Sequence, residues 1–222
     1  MNIIKLFSVS QSMSAIKRYS QLHLLKPESV MEHTGFVCLF TYILCEKINS
    51  VSGEKDKLNI GLALEKAVIH DIDEVVTGDI PRPTKYYSKD SSKIFEEIAE
   101  QGIKQIISEL DLDFQSRIEL NWKTAKDDKE GAIIALADLA SVVYKLWDEV
   151  ILLGNKKLIL QGNQVFGYVQ NLSKEIKENF DFTYDQQLAI NNVIYQLLAI
   201  CAEINKINNP LLGTLKTFER SK

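Results

Sequence analysis

An all-α fold is what this sequence predicts, and three observations carry the prediction. Apolar residues recur at three- and four-residue spacing over long segments, the period of a helix with one buried face. Only 10 Gly and 4 Pro interrupt 222 residues. No convincing alternating run longer than four residues offers a strand.

The elements follow in order. A helix is predicted near Ser12–Tyr19. A second opens at Ser29, whose hydroxyl with Glu32 three residues on fits a capping box, and runs to Ile48. Val51–Lys57 is a polar connector. Leu58–His70 is the third helix, with Leu62, Ala63, Ala67 and Val68 on its apolar side. Gly78, Pro81 and Pro83 then forbid a regular helix through the second half of DIDEVVTGDIPRPTKYYS. Further helices are predicted over Ser91–Leu110, Phe114–Lys126, Asp128–Leu153 (stopping near Gly154), Lys157–Asn179 and Tyr184–Ile207. No Gly-, Ser- or Pro-rich linker divides the chain and no repeat is visible, so residues 1–222 are expected to form a single domain.

Composition narrows the function classes. With 45% apolar and 25% charged side chains, the chain is neither disordered nor of low complexity. Its length allows burial of roughly 70% of the unfolded surface. A net charge of −4, from 26 basic and 30 acidic residues without a basic stripe, argues against a nucleic-acid polymer as partner. One or two placed cations would still suffice for a small phosphorylated substrate. Cys38, Cys45 and Cys201 are an odd set in apolar surroundings and are expected to be reduced core residues. Neither a signal peptide nor a membrane span is expected, and a cytoplasmic setting follows.

Two features ask for more than packing. Asp138 is the only charged residue in GAIIALADLASVVY, residues 131 to 144. A carboxylate there costs several kcal/mol unless it is paired, hydrogen-bonded or bound to a metal; a hydrogen bond from a neighbouring helix and a metal both answer the need. His70 and Asp71 are adjacent where an apolar helix ends, and supply N and O ligands suited to divalent metals. The same dipeptide also occurs on ordinary surfaces. His33, one of only three histidines, stands just before a strongly apolar face; alone it reads as a core or cap residue. Taken together, His33, His70, Asp71 and Asp138 offer two imidazoles and two carboxylates from separate helices, which a bundle can gather on one ion.

The order H…HD…D resembles the signature of the HD-domain phosphohydrolases. The loop HDIDEVVTGDIPRPTKYY is similar to that of the YfbR-type 5′-deoxynucleotidases, HD-x-x-E-x-x-TGD-x-P-x-P-x-K-Y, matching at His70, Asp71, Glu74, Thr77, Gly78, Asp79, Pro81, Pro83, Lys85 and Tyr86. IKRYSQ and ESVMEHT resemble that family's arginine–aromatic pair and its ENVSEHS segment, and ALADLASVVYKLWDEVILLGN its final-aspartate helix. The similarity spans about residues 10 to 160. The helices after about 165 match no motif and are expected to pack.

The resemblance implies an HD-domain bundle of roughly seven to nine helices. It implies one divalent ion (Co, Mn, Mg or another transition metal) on His33, His70, Asp71 and Asp138. Glu74 would orient or deprotonate the attacking water, Arg18 would clamp phosphate, Asp79 and Tyr19 would meet the sugar, and Lys85 could add a second cation. Tyr19 stands where that family carries Trp, which leaves the strictness of deoxyribose selection open. Arg82 stands between two prolines where the family often has a small residue. The expected activity is hydrolysis of (deoxy)nucleoside 5′-monophosphates to nucleoside and phosphate, by a homodimer acting on a small nucleotide. Two alternatives stand beside it: a dATPase-like triphosphohydrolase that releases intact triphosphate, and a non-catalytic nucleotide-binding HD module.

Overall fold

The computed structural model describes residues 3–208, and within them the regular structure is helical. α1 (Ile3–Ala15) leads into α2 (Val30–Asn49) and α3 (Ile60–Ile69). Two single-turn segments, α4 (Glu74–Thr77) and α5 (Arg82–Lys85), precede α6 (Lys89–Ile107), α7 (Leu112–Lys123), α8 (Lys129–Trp147), α9 (Gln161–Asn179) and α10 (Tyr184–Asn208). Eight of these have ten residues or more, as the apolar spacing predicts.

α2 begins where the sequence predicts. The Ser29 hydroxyl accepts the Glu32 N–H at 3.2 Å, and the Glu32 carboxylate accepts the Ser29 N–H at 2.7 Å. The pair satisfies two otherwise orphaned donors and stabilises the start by about 1 kcal/mol. That start sets the angular position of His33 one turn later.

The predicted helix at Ser12–Tyr19 requires correction: the helix lies earlier and stops at Ala15. The Arg18 N–H donates to the Glu28 carbonyl at 2.9 Å and the Val30 N–H to the Ile16 carbonyl at 3.1 Å, forming an isolated antiparallel bridge. These cross-chain bonds replace the helical ladder. Tyr19 turns into the left-handed region at φ 57°, which non-glycine residues seldom adopt.

Between α3 and α6 the prolines and Gly78, at φ 69°, break the chain into the two short turns; glycine tolerates that backbone and proline cannot continue a helix ladder. The predicted Asp128–Leu153 helix also divides. Regular α8 ends at Trp147. A wide π-type turn over Asp148–Leu152 carries the chain to Gly154, at φ 72°. This turn sends Glu149 inward, fully buried.

The main core is shared by α2, α3, α8, α9 and α10, with Val37, Ala67, Ile133, Leu136, Ala137 and Ile190 among its buried members. Cys45 and Cys201 are buried and Cys38 half-buried, all as free thiols. α10 is long and apolar enough to cross a membrane by length and composition alone. It instead packs along α9, α8 and α2 and buries Ile190, Ile194, Leu197, Cys201 and Ile204.

Candidate metal centre

Three helices meet at one point. α2 brings His33, the C-terminus of α3 brings His70 and then Asp71, and the middle of α8 brings Asp138. One ligand atom from each of His33, His70 and Asp138 falls in a cluster whose members all lie within 4.8 Å of one another. Asp71 Oδ2 is 3.1 Å from His70 Nε2 and 3.3 Å from His33 Nε2, and Asp138 Oδ1 is 3.3 Å from His33 Nε2. The imidazole ring centroids are 5.4 Å apart.

The hydrogen-bond network assigns which nitrogen of each imidazole carries the proton. His70 Nδ1 lies 2.7 Å from the Ala67 carbonyl. A carbonyl can only accept, so Nδ1 donates and Nε2 keeps its lone pair. Ser141 spends its hydroxyl hydrogen on the Asp138 carbonyl at 2.8 Å, so at 2.9 Å it accepts from His33 Nδ1. In the neutral ring His33 Nε2 is thereby also a lone pair. Both Nε2 atoms are buried and have no hydrogen-bond partner among the described residues. With the rings neutral, two lone pairs face two carboxylates, and a cation among them, or protons on the rings, removes the repulsion. The donor set therefore fits a divalent metal, and each imidazole has its second nitrogen anchored as metal-binding histidines do.

Among the protein's own groups, burial pushes the Asp71 carboxyl up, but His70 and His33 overcome this and hold it well below the ordinary range. Burial likewise works against Asp138, where Lys126 and His33 win. For His33 burial favours the neutral ring, but Asp138 and Asp71 outweigh it and raise the ring's pKa above the ordinary imidazole value.

Glu74 opens α4, one turn beyond His70. Its Oε2 is buried and unpartnered, in a small polar cavity shared with Asp73, Thr77 and Lys85. Burial, helped by the charges of Asp71 and Asp79, pushes its carboxyl up to about 9. Arg18 is buried and paired with Glu28, Nη1 to Oε1 at 2.9 Å; its Nε has no partner. Its guanidinium lies over the Tyr19 ring, 4.7 Å from the centroid, an attractive placement for a cation. Asp79 does not close its own turn: Oδ2 accepts the Tyr19 N–H at 2.6 Å and ties the 78–80 loop to the strained residue. The Tyr19 hydroxyl is buried and unpartnered. Arg82 sits over the rings of Tyr86 and Tyr168, at 5.2 and 5.3 Å from their centroids. His23 contributes only its carbonyl, which accepts from Asn155.

Sequence reasoning missed three groups. Ser141, three residues after Asp138 and so on the same helical face, was legible as a neighbour but not as the partner of His33. Lys126 Nζ lies 2.6 Å from Asp138 Oδ2, and nothing in its local sequence announces this. Glu149 accepts the backbone N–H groups of Leu25 and Lys26, the Asn155 amide at 2.8 Å and Lys145 at 3.1 Å. Lys145 also donates to the Lys26 carbonyl. This buried carboxylate clamps the segment that joins Tyr19 to α2.

A helical bundle that gathers His33, His70 and Asp138 within 4.8 Å of one another, with Asp71 outside that group but beside both imidazoles and the Glu74 carboxyl one turn away, is the arrangement of the HD-domain phosphohydrolases. The solved HD-domain phosphohydrolase from Listeria innocua superposes over 99% of this chain and 100% of its own, with a TM-score of 0.70 and 25% identity. An HD phosphohydrolase of cyanophage S-2L, solved with dA and one catalytic Zn2+, shares the fold at TM-score 0.59 and 14% identity, covering 88% of this chain and 96% of its own. Within that class the chain belongs to the YfbR-like 5′-deoxynucleotidase family, whose model matches residues 5–185. The 5′-deoxynucleotidase of Shewanella oneidensis is 29% identical over 148 residues, 65% of this chain and 73% of the relative. The Salmonella newport 5′-deoxynucleotidase YfbR is 30% identical over 148 residues, 65% of this chain and 72% of the relative.

Proposed function

We propose that the chain hydrolyses deoxynucleoside 5′-monophosphates to nucleoside and inorganic phosphate at this centre. The observation that carries the reading is the pair of buried Nε2 atoms beside the Asp71 and Asp138 carboxylates, with the Glu74 carboxyl nearby. His33, His70, Asp71 and Asp138 would hold one divalent ion, which would polarise a phosphoryl oxygen and acidify water. Glu74 accepts the proton of the attacking water. Burial and the Asp71 and Asp79 charges favour its protonated form, so this role requires the positive charge of a bound divalent ion to counter them and free the carboxylate. Arg18, its Nη1 held by Glu28, presents its free Nε–H to a phosphoryl oxygen. Asp79 holds Tyr19 in its left-handed conformation, so that ring and hydroxyl form one wall for the sugar. Lys85, lining the Glu74 cavity, adds positive potential. The family likeness also supports a homodimer, for which the exposed Leu188 and Tyr195 on α10 supply an apolar face.

Purified protein supplied with Mn2+ or Co2+ is expected to release phosphate from deoxynucleoside 5′-monophosphates and to stop on adding EDTA. Glu74→Gln should keep the metal and lose turnover by about 100- to 10,000-fold. Release of intact triphosphate from dATP without monophosphatase activity would move the assignment to a triphosphohydrolase. Metal and nucleotide binding without turnover would make it a binding module.

A further inference from the structure

Lys126 stands at the centre as a cation that neither the motif nor the ligand set includes. Its ammonium lies 2.6 Å from Asp138 Oδ2, while Asp138 Oδ1 faces His33. The lysine side chain is 46% exposed, so it borders open solvent rather than core.

The turn that presents it is built from inside. Lys66, only 2% exposed, donates to the Thr124 carbonyl at 2.8 Å and to Asp128 Oδ2 at 2.6 Å, on either side of Lys126. Asp128 Oδ1 in turn accepts the Gly131 N–H at 2.8 Å and so caps α8. A Cβ on Gly131 would lie 2.7 Å from the Ala125 carbonyl oxygen and from Lys126 Cα, so glycine lets the turn lie directly on the first turn of α8.

Charge supplies the rest of the argument. A divalent ion held by His33, His70 and Asp138 would repel the nearby Lys126 ammonium, and a dianionic phosphoryl group beside both would remove the repulsion. We propose that Lys126 is a phosphate-binding residue, its ammonium meeting a non-bridging phosphoryl oxygen of the substrate while it stays on Asp138 Oδ2. The proposal rests on the phosphomonoester reading above. It gives the site a cation from the α7–α8 turn, independent of Arg18.

The test is calorimetric titration of inorganic phosphate into Mn2+-loaded wild type, Lys126→Met, Lys126→Gln and Lys126→Arg, with metal content and thermal midpoint measured on each. Met keeps the aliphatic stem and loses the charge. Loss of one charge-assisted hydrogen bond should weaken phosphate binding about 10- to 100-fold in the Met and Gln variants and raise KM for a deoxynucleoside monophosphate in parallel. Metal content should stay unchanged, and Arg should recover most of the affinity. Phosphate affinity within twofold of wild type in the folded Met or Gln variant overturns the proposal. So does loss of metal in those variants, which would make Lys126 a positioning residue for Asp138. Wild-type turnover is scored separately: a wild type that hydrolyses no nucleotide fails the functional reading, whatever the variants bind.

Discussion

A single hydroxyl decides how His33 can serve. Ser141 has one hydrogen, and it is committed to the Asp138 carbonyl, so the oxygen is left to receive the His33 Nδ1–H. Ser141→Ala removes that acceptor and frees the ring to rotate and change tautomer. We expect divalent-metal affinity to fall about 10- to 100-fold with little change in fold, read by metal titration alongside circular dichroism. Unchanged affinity would mean that packing alone orients the imidazole. The outlook for Tyr19 is set at the same scale. Its left-handed backbone is held by Asp79, and its buried hydroxyl lacks a hydrogen-bond partner among the described residues.

At the scale of elements, the π-type turn after α8 matters more than its five residues suggest. It carries Glu149 into the protein, where the carboxylate gathers two backbone N–H groups, an amide and an ammonium. Burial opposes its charge, but these donors prevail and hold its carboxyl down to about 2. The sign of the linkage follows. A carboxyl depressed on folding contributes stability above its unfolded value and loses it as pH falls through its folded value. From near 4.5 down to about 2 that contribution, on the order of 3 kcal/mol, should disappear. Thermal unfolding of wild type and Glu149→Gln across this range should show the variant less stable at pH 7 and the two converging near pH 2. A constant gap would remove Glu149 as the source. Because the clamped segment leads back to Arg18 and Tyr19, the variant should also show weaker substrate binding.

For the whole molecule, the metal centre joins α2, α3 and α8, three of the helices that share the main core. An ion bound there binds the folded chain and not the unfolded one. At about a thousandfold excess over its dissociation constant it should stabilise by about 4 kcal/mol. Differential scanning fluorimetry with added Mn2+ and then EDTA should show a rise and a full reversal, and a His33→Ala variant should show neither. A shift retained in that variant would place the ion elsewhere.

How much was legible beforehand differs by kind of information. Helix periodicity, the Ser29–Glu32 cap, the breaks at Gly78 and Pro81 and the loop motif are local patterns, and local physics sets them: φ/ψ limits, capping and the 3.6-residue repeat. Asp138 stood out because a charge inside an apolar helix face demands a partner. The end of α1 was not, because it depends on a bridge to residues 28–30, and local spacing carries no trace of that pairing.

By itself the sequence determined that helices form, roughly where they run, and which polar groups on them need an explanation. Only the tertiary structure decided which partners those groups find: Ser141 for His33, Lys126 for Asp138, Glu28 for Arg18 and Glu149 for the 25–26 backbone. The reason is physical. A buried polar group requires satisfaction wherever it is placed, but the donor or acceptor that supplies it comes from whichever element the packing brings within about 3 Å, and that is a property of the assembled bundle.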